Sequence, residues 1–153
     1  MPNYNFKKDL PIARETEKEV SDKLKEFYNW KTIAVREDNK YDLLVERCDG
    51  RIIKVEVKED FTCRKTGNVG LEFECRGKAS GIAVTQATHY VYKIHRPDEI
   101  IFRVSTTKLL RKAIANEAYW KIVVGGDEGS NSKNYLFYYL DFCDYSEEIF
   151  KDK

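Results

Sequence analysis

The chain has no apolar run approaching the length needed to span a bilayer, and its first residues, MPNYNFKKDLPIARE, lack the apolar stretch of a secretory signal. An intracellular protein with no membrane partner is therefore expected. It has only two histidines, and its four cysteines, Cys48, Cys63, Cys75 and Cys143, include no CxxC pair, which argues against a zinc site and for thiols kept in a reducing compartment. Charge of one sign is also missing, because the formal net charge is only +1. A nucleic-acid partner would have to be held by a local basic surface, not by a global field.

What is present suffices for one core. The 153 residues fall within the usual range of a single domain, and no repeat, low-complexity tract or linker divides 1–153. Helical spacing of Val20, Leu24 and Phe27 predicts an amphipathic helix from about Asp9 to Tyr28. The period then changes to two. Strands are predicted over 32–35, 41–46, 52–59, 69–75, 90–94 and 100–104, with an aromatic strand over 135–142. A short helix capped by Thr85 is expected to run to His89, and Ser105 or Thr106 should cap another to about Ala115. Loops are expected over 61–68, 76–81 and 125–134. Strands alternating with helices give an α/β fold with a central mixed sheet flanked by helices.

The stretch YDLLVERCDGRIIKVEVKED carries the most information. A three-residue loop, Cys48-Asp49-Gly50, with its glycine in the left-handed conformation, pairs Arg47 with Arg51. Counting outward, Val45 meets Ile53, Leu43 meets Val55 and Asp42 faces Glu56. One hairpin face then carries Leu43, Val45, Ile53, Val55 and Val57, while Asp42, Glu56 and Lys58 occupy the other. Two carboxylates opposed at about 5 Å repel each other, so a divalent cation between them, with Lys58 beside it, would relieve the pair. Glu17, on the helical face of Val20 and Leu24, is the candidate third acid, with Glu19 as the alternative.

An acid on an early helix (Glu17), an Asp opening a strand (Asp42) and Glu-x-Lys on the next (Glu56-Val57-Lys58) together resemble the PD-(D/E)XK nuclease superfamily, over roughly the first 60 residues. Tyr41 stands where the family name has proline. The resemblance implies a restriction-endonuclease-like core. It also implies Mg2+, with Mn2+ as a substitute, on Asp42 and Glu56, with the Val57 carbonyl and Glu17 as further ligands and Lys58 acting on the attacking water or the phosphate.

The segment LEFECRGKASGIAVTQATHYVY, and the turn at Gly125-Gly126-Asp127, are similar to parts of small phage-encoded members. This likeness implies phosphate contacts at Arg76, Lys78 and Ser80, beside flexible glycines. Ordinary surface charge is the alternative for Arg76 and Lys78. Glu72 and Glu74 share a strand face and are either further ligands or a solvated pair; Tyr135, Tyr138 and Tyr139 fit sheet packing better than base stacking.

The implied function is a magnesium-dependent DNA endonuclease, structure-specific for branched or junction DNA in the manner of a Holliday-junction resolvase, with a homodimer as the candidate assembly. A sequence-specific restriction endonuclease and a non-cleaving nucleic-acid-binding protein of the same fold are the alternatives.

Overall fold

The structure is a computed structural model that describes residues 6–36, 41–125 and 131–152; Gly126 and Asp127 of the Gly125-Gly126-Asp127 turn lie outside them. Helix α1 spans Phe6–Tyr28, starting before the expected Asp9. Val20 and Leu24 are fully buried on its inner face, whereas Phe27 stays 45% exposed and leans on Phe150, with ring centroids 5.5 Å apart. The helix stops where Asn29 takes a left-handed φ of 56°, and the Trp30 amide reaches back to the Leu24 carbonyl at 3.1 Å, a Schellman-type closure.

Among the described residues ten strands follow in chain order: β1 (Lys31–Val35), β2 (Leu43–Glu46), β3 (Ile52–Asp60), β4 (Asn68–Cys75), β5 (Lys78–Ala79), β6 (His89–His95), β7 (Ile100–Thr106), β8 (Lys121–Gly125), β9 (Ser132–Tyr138) and β10 (Glu147–Asp152). Six form a central sheet in the order β1-β2-β3-β6-β7-β10, mixed because β3 and β6 run parallel while its other neighbours are antiparallel. The remaining four form an antiparallel sheet in the order β5-β4-β9-β8.

The α/β class and the mixed sheet thus agree with expectation, but the layering differs. Helix α1 covers one face of the central sheet, closing a core of Val20, Leu24, Leu43, Val45, Val55, Val91, Phe102 and Val104. The opposite face is covered mainly by the second sheet, with α3 (Thr107–Ala115) and α4 (Tyr139–Cys143), around Leu71, Tyr90, Tyr92, Ile94, Leu110, Phe137 and Phe142. A parallel pair needs a crossover. Here the connection between β3 and β6 carries the β4–β5 hairpin of the second sheet instead of a long helix.

Several local expectations are corrected. Residues 61–68 contain α2 (Cys63–Thr66), nucleated by Asp60 Oδ1, which accepts from the Thr62 and Cys63 amides at 2.9 and 3.0 Å. Thr85 caps no helix: a 3-10 turn at Gly81–Ala83 precedes it, and His89 opens β6. The aromatic run 135–142 is split, its first part ending β9 at Tyr138 and its second forming α4. Ser132, expected in a loop, begins β9. The cap on α3 is Thr106, whose side chain accepts from the Leu109 amide at 3.0 Å.

Candidate active site

The site is built from the turn outward. Gly50 takes φ 86°, the Arg47 amide donates to the Arg51 carbonyl at 2.8 Å, and the ladder continues through Val45↔Ile53 to Leu43↔Val55. The loop therefore sets the register the sequence predicts, and it puts Leu43, Val45, Ile53 and Val55 under α1. At Leu43 the ladder ends. Asp42 is not the ladder partner of Glu56: its own amide turns back to the Val55 carbonyl at 2.9 Å. Its carboxylate Oδ2 instead accepts from the Val57 amide at 2.7 Å.

That hydrogen bond orients the edge of β3. A strand residue's N–H and C=O point to the same side, so Val57 presents its carbonyl to the side where β2 has already stopped, next to Asp42. Glu56 belongs to the other backbone set, and its register partner across the parallel ladder is Tyr90. The Glu56 side chain is 16% exposed and hydrogen-bonded to Asp42, and its Oε2 lies 4.0 Å from the Lys58 ammonium. Burial pushes the Glu56 carboxyl up to about 8; Lys58 pulls against this, Asp42 adds to it, and a hydrogen bond from Thr85 favours the charged form. Glu17, on α1, is raised to about 7, first by burial and then by the negative charge of Asp42, with Arg14 opposing.

Asp42, at the edge where β2 ends, is thus the common neighbour of two acids, Glu17 on α1 and Glu56 on β3. Glu19, the alternative helical acid, is engaged elsewhere. It accepts from Lys93 Nζ at 2.7 Å, in a network where Glu59 also receives Thr16 Oγ1 at 2.6 Å and meets His95 Nε2 at 2.7 Å. In that network burial opposes the charge on both Lys93 and Glu59, yet their partners outweigh it, so Lys93 is held above and Glu59 below the ordinary value. The network ties α1 to β3 and β6, and separates the structural acid Glu19 from Glu17 two residues away.

Arg76 and Lys78 of the basic loop lie exposed at the β4–β5 turn of the second sheet. Ser80 Oγ donates to Glu72 Oε2 at 2.9 Å, so its proton is committed to a structural bond and not turned out toward a phosphate. Glu74 pairs with Lys133 at 3.0 Å across the second sheet, the bland reading of that residue.

Two neighbours of Glu56 carry no signal in the sequence. Thr85 reaches it from the segment before β6, and Tyr90 lies fully buried beside it with its hydroxyl close to Thr85. Burial, with Glu56 next, drives the Tyr90 phenol far above its ordinary value, so it stays protonated. Only the Glu56↔Tyr90 pairing identifies it, and that pairing joins strands distant in sequence.

Among the described residues, no three His, Cys, Asp or Glu side chains are gathered closely enough to hold a metal ion as they stand. The donor chemistry nevertheless fits a hard cation. Carboxylate oxygens are the ligands such ions take, and magnesium in particular uses one or two carboxylates completed by water and phosphate, not a closed protein cage. Burial first, and the Asp42 charge with it, raises both the Glu56 and Glu17 carboxyl groups. Among the described residues, no helix is long and apolar enough to cross a membrane. Comparison with models of known protein families, with characterised proteins and with solved structures returns no match.

Proposed function

We propose that this protein is a metal-dependent DNA endonuclease with a restriction-endonuclease-like core of the PD-(D/E)XK type. The observation that carries the reading is the placement of Asp42 at a strand end, where its charge acts on both Glu17 and Glu56, with Lys58 4.0 Å from Glu56. An acid held protonated near neutrality by burial and a neighbouring carboxylate is unfavourable for folding unless the site serves another purpose.

Asp42 and Glu56 would hold Mg2+, or Mn2+ in its place, with the Val57 carbonyl and Glu17 as supplementary donors. When bound, the ion supplies Lewis-acid activation of a water and shielding of the phosphate. The chain's own residues do the positioning. The Val57 amide fixes the Asp42 carboxylate, Thr85 favours the ionised form of Glu56, and Lys58, 42% exposed, is free to meet a phosphate oxygen or orient the attacking water. Branched or junction DNA is the proposed substrate, with a homodimer presenting two such sites.

The test is cleavage of labelled plasmid, single-stranded and four-way-junction DNA in Mg2+ or Mn2+, with Glu56→Ala as the control. Metal-dependent cutting that Glu56→Ala abolishes while the fold persists is the expected outcome; an inert parent protein on every substrate overturns it. The lack of a closed three-acid set among the described residues favours a second reading, a nucleic-acid-binding protein of the same fold that does not cut. That protein would bind the same DNA with salt-dependent affinity and leave it intact.

A further inference from the structure

Beyond Lys58, β3 runs into a cleft of about 460 Å³ lined by the end of the central sheet and by the face of the second sheet that alternates with its core-facing Leu71 and Phe137. Its lining departs from a simple phosphate groove. Phe61, 50% exposed, lies at the mouth with one face on the His95 ring, centroids 4.6 Å apart and planes within 18°. Val123 and Leu136 make an apolar wall. Glu72 and Asn134, directly paired across the β4–β9 ladder, stand side by side in the cleft.

This is a flat, half-apolar space with a π-surface at its entrance and a carboxylate beside an amide inside. Glu72 and Asp60 disfavour a phosphate deep in the cleft. A neutral planar ring with donors on its edge suits it. Ser80 donates one hydrogen bond to Glu72 Oε2, so both carboxylate oxygens keep a lone pair to accept with, and among the described residues the Asn134 amide makes no hydrogen bond of its own. Guanine offers two adjacent N–H donors for a carboxylate and, next to them, a carbonyl for an amide N–H; thymine lacks the donor pair. Phe61 follows the last residue of β3 and lies three residues from Lys58, at most about 10 Å along the chain, so a phosphate at Lys58 leaves a neighbouring base within reach of the ring.

We propose that this cleft receives an unpaired nucleobase, guanine above the others, stacked on Phe61 and held by Glu72 and Asn134. The inference rests on the nuclease reading for its substrate class, and it narrows that class to DNA with unpaired nucleotides beside the scissile phosphate. A base within a duplex is stacked on both sides and cannot enter.

The test uses the full chain in Ca2+, which neutralises the acids with a larger ion. Fluorescence anisotropy compares a labelled oligothymidine carrying one guanine with the same strand carrying an abasic site at that position, and with blunt duplex. The guanine strand should bind about tenfold tighter than the abasic one, the effect of one stacked base. Phe61→Ala should erase the difference, and Glu72→Gln should reduce the preference for guanine over thymine. Equal affinity for the abasic strand, no binding to any strand, or a difference that survives Phe61→Ala in a variant folded by circular dichroism overturns the proposal. Adding Mg2+ separates the two readings: cleavage without base dependence overturns the cleft alone, whereas base-dependent binding without cleavage supports the cleft and overturns the nuclease.

Discussion

Replacing Glu56 by glutamine should change the way stability depends on pH. The folded protein holds the Glu56 proton up to about 8, whereas an unfolded chain releases it near 4.5. Between those values the folded state binds the extra proton, so stability is fully present below 4.5 and falls as pH rises toward 8. This is the reverse of a salt-bridged carboxylate. The interval corresponds to a loss of at most about 5 kcal/mol, a ceiling for a site that can admit water on deprotonation. Glutamine keeps the shape and a hydrogen-bond donor toward Asp42 but has no proton to lose. Urea denaturation of metal-free protein at stepped pH from 5 to 9 should therefore show wild type weakening while Glu56→Gln holds nearly level, the variant becoming the more stable by about 2 kcal/mol or more above pH 8. Parallel curves for the two proteins would refute the reasoning, because they would mean that burial and Asp42 do not hold the proton.

The other predictions concern neighbouring groups. Lys58→Met removes the cation opposing protonation of Glu56, so it should lower cleavage about a hundredfold or more and shift the alkaline loss of stability to higher pH, both measurable on a protein that still folds. Glu17→Gln should weaken Mg2+ binding measured by calorimetry, whereas Glu19→Gln should leave it unchanged and cost about 1 kcal/mol of stability through loss of the Lys93 pair. Gly81→Ala should destabilise by about 2–4 kcal/mol in thermal melts, because Gly81 has φ 51° and a Cβ there would come within 2.2 Å of the Glu72 carbonyl oxygen.

The part of the site that was legible in the sequence is the part set by local rules. Gly50 can adopt a left-handed turn, the turn sets the register, and alternation then sends Leu43, Val45, Ile53 and Val55 to one face, which places Glu56 and Lys58 on the other. Counting residues could not reveal where the ladder stops. Asp42 leaves the register because its carboxylate finds the Val57 amide, an event at a strand end that alternation does not encode. Glu17 and Glu19 are indistinguishable by helix propensity; Lys93, on a strand far along the chain, separates them.

The second sheet was harder to read for a related reason. Strand β8 buries little, with Lys121, Ile122, Val124 and Gly125 exposed, so its identity lies in pairing with β9 and not in its own pattern. At the edge of the central sheet the same holds for β10, which buries only Ile149. The run YLFYYLDF is apolar at both strand and helix periods, and the chain uses it for both, β9 up to Tyr138 and α4 from Tyr139.

Binding of Mg2+ with a count of the protons released bears most directly on the acids at the end of β2. Calorimetric titration at pH 7 in buffers of different ionisation enthalpy should give one saturable event in the wild-type chain, accompanied by release of about one proton as Glu56 ionises, and no event in Asp42→Asn. Saturable binding that persists in a folded Asp42→Asn variant, or no binding and no proton release in the wild type, would contradict the assignment of Asp42 and Glu56 as the metal-holding pair.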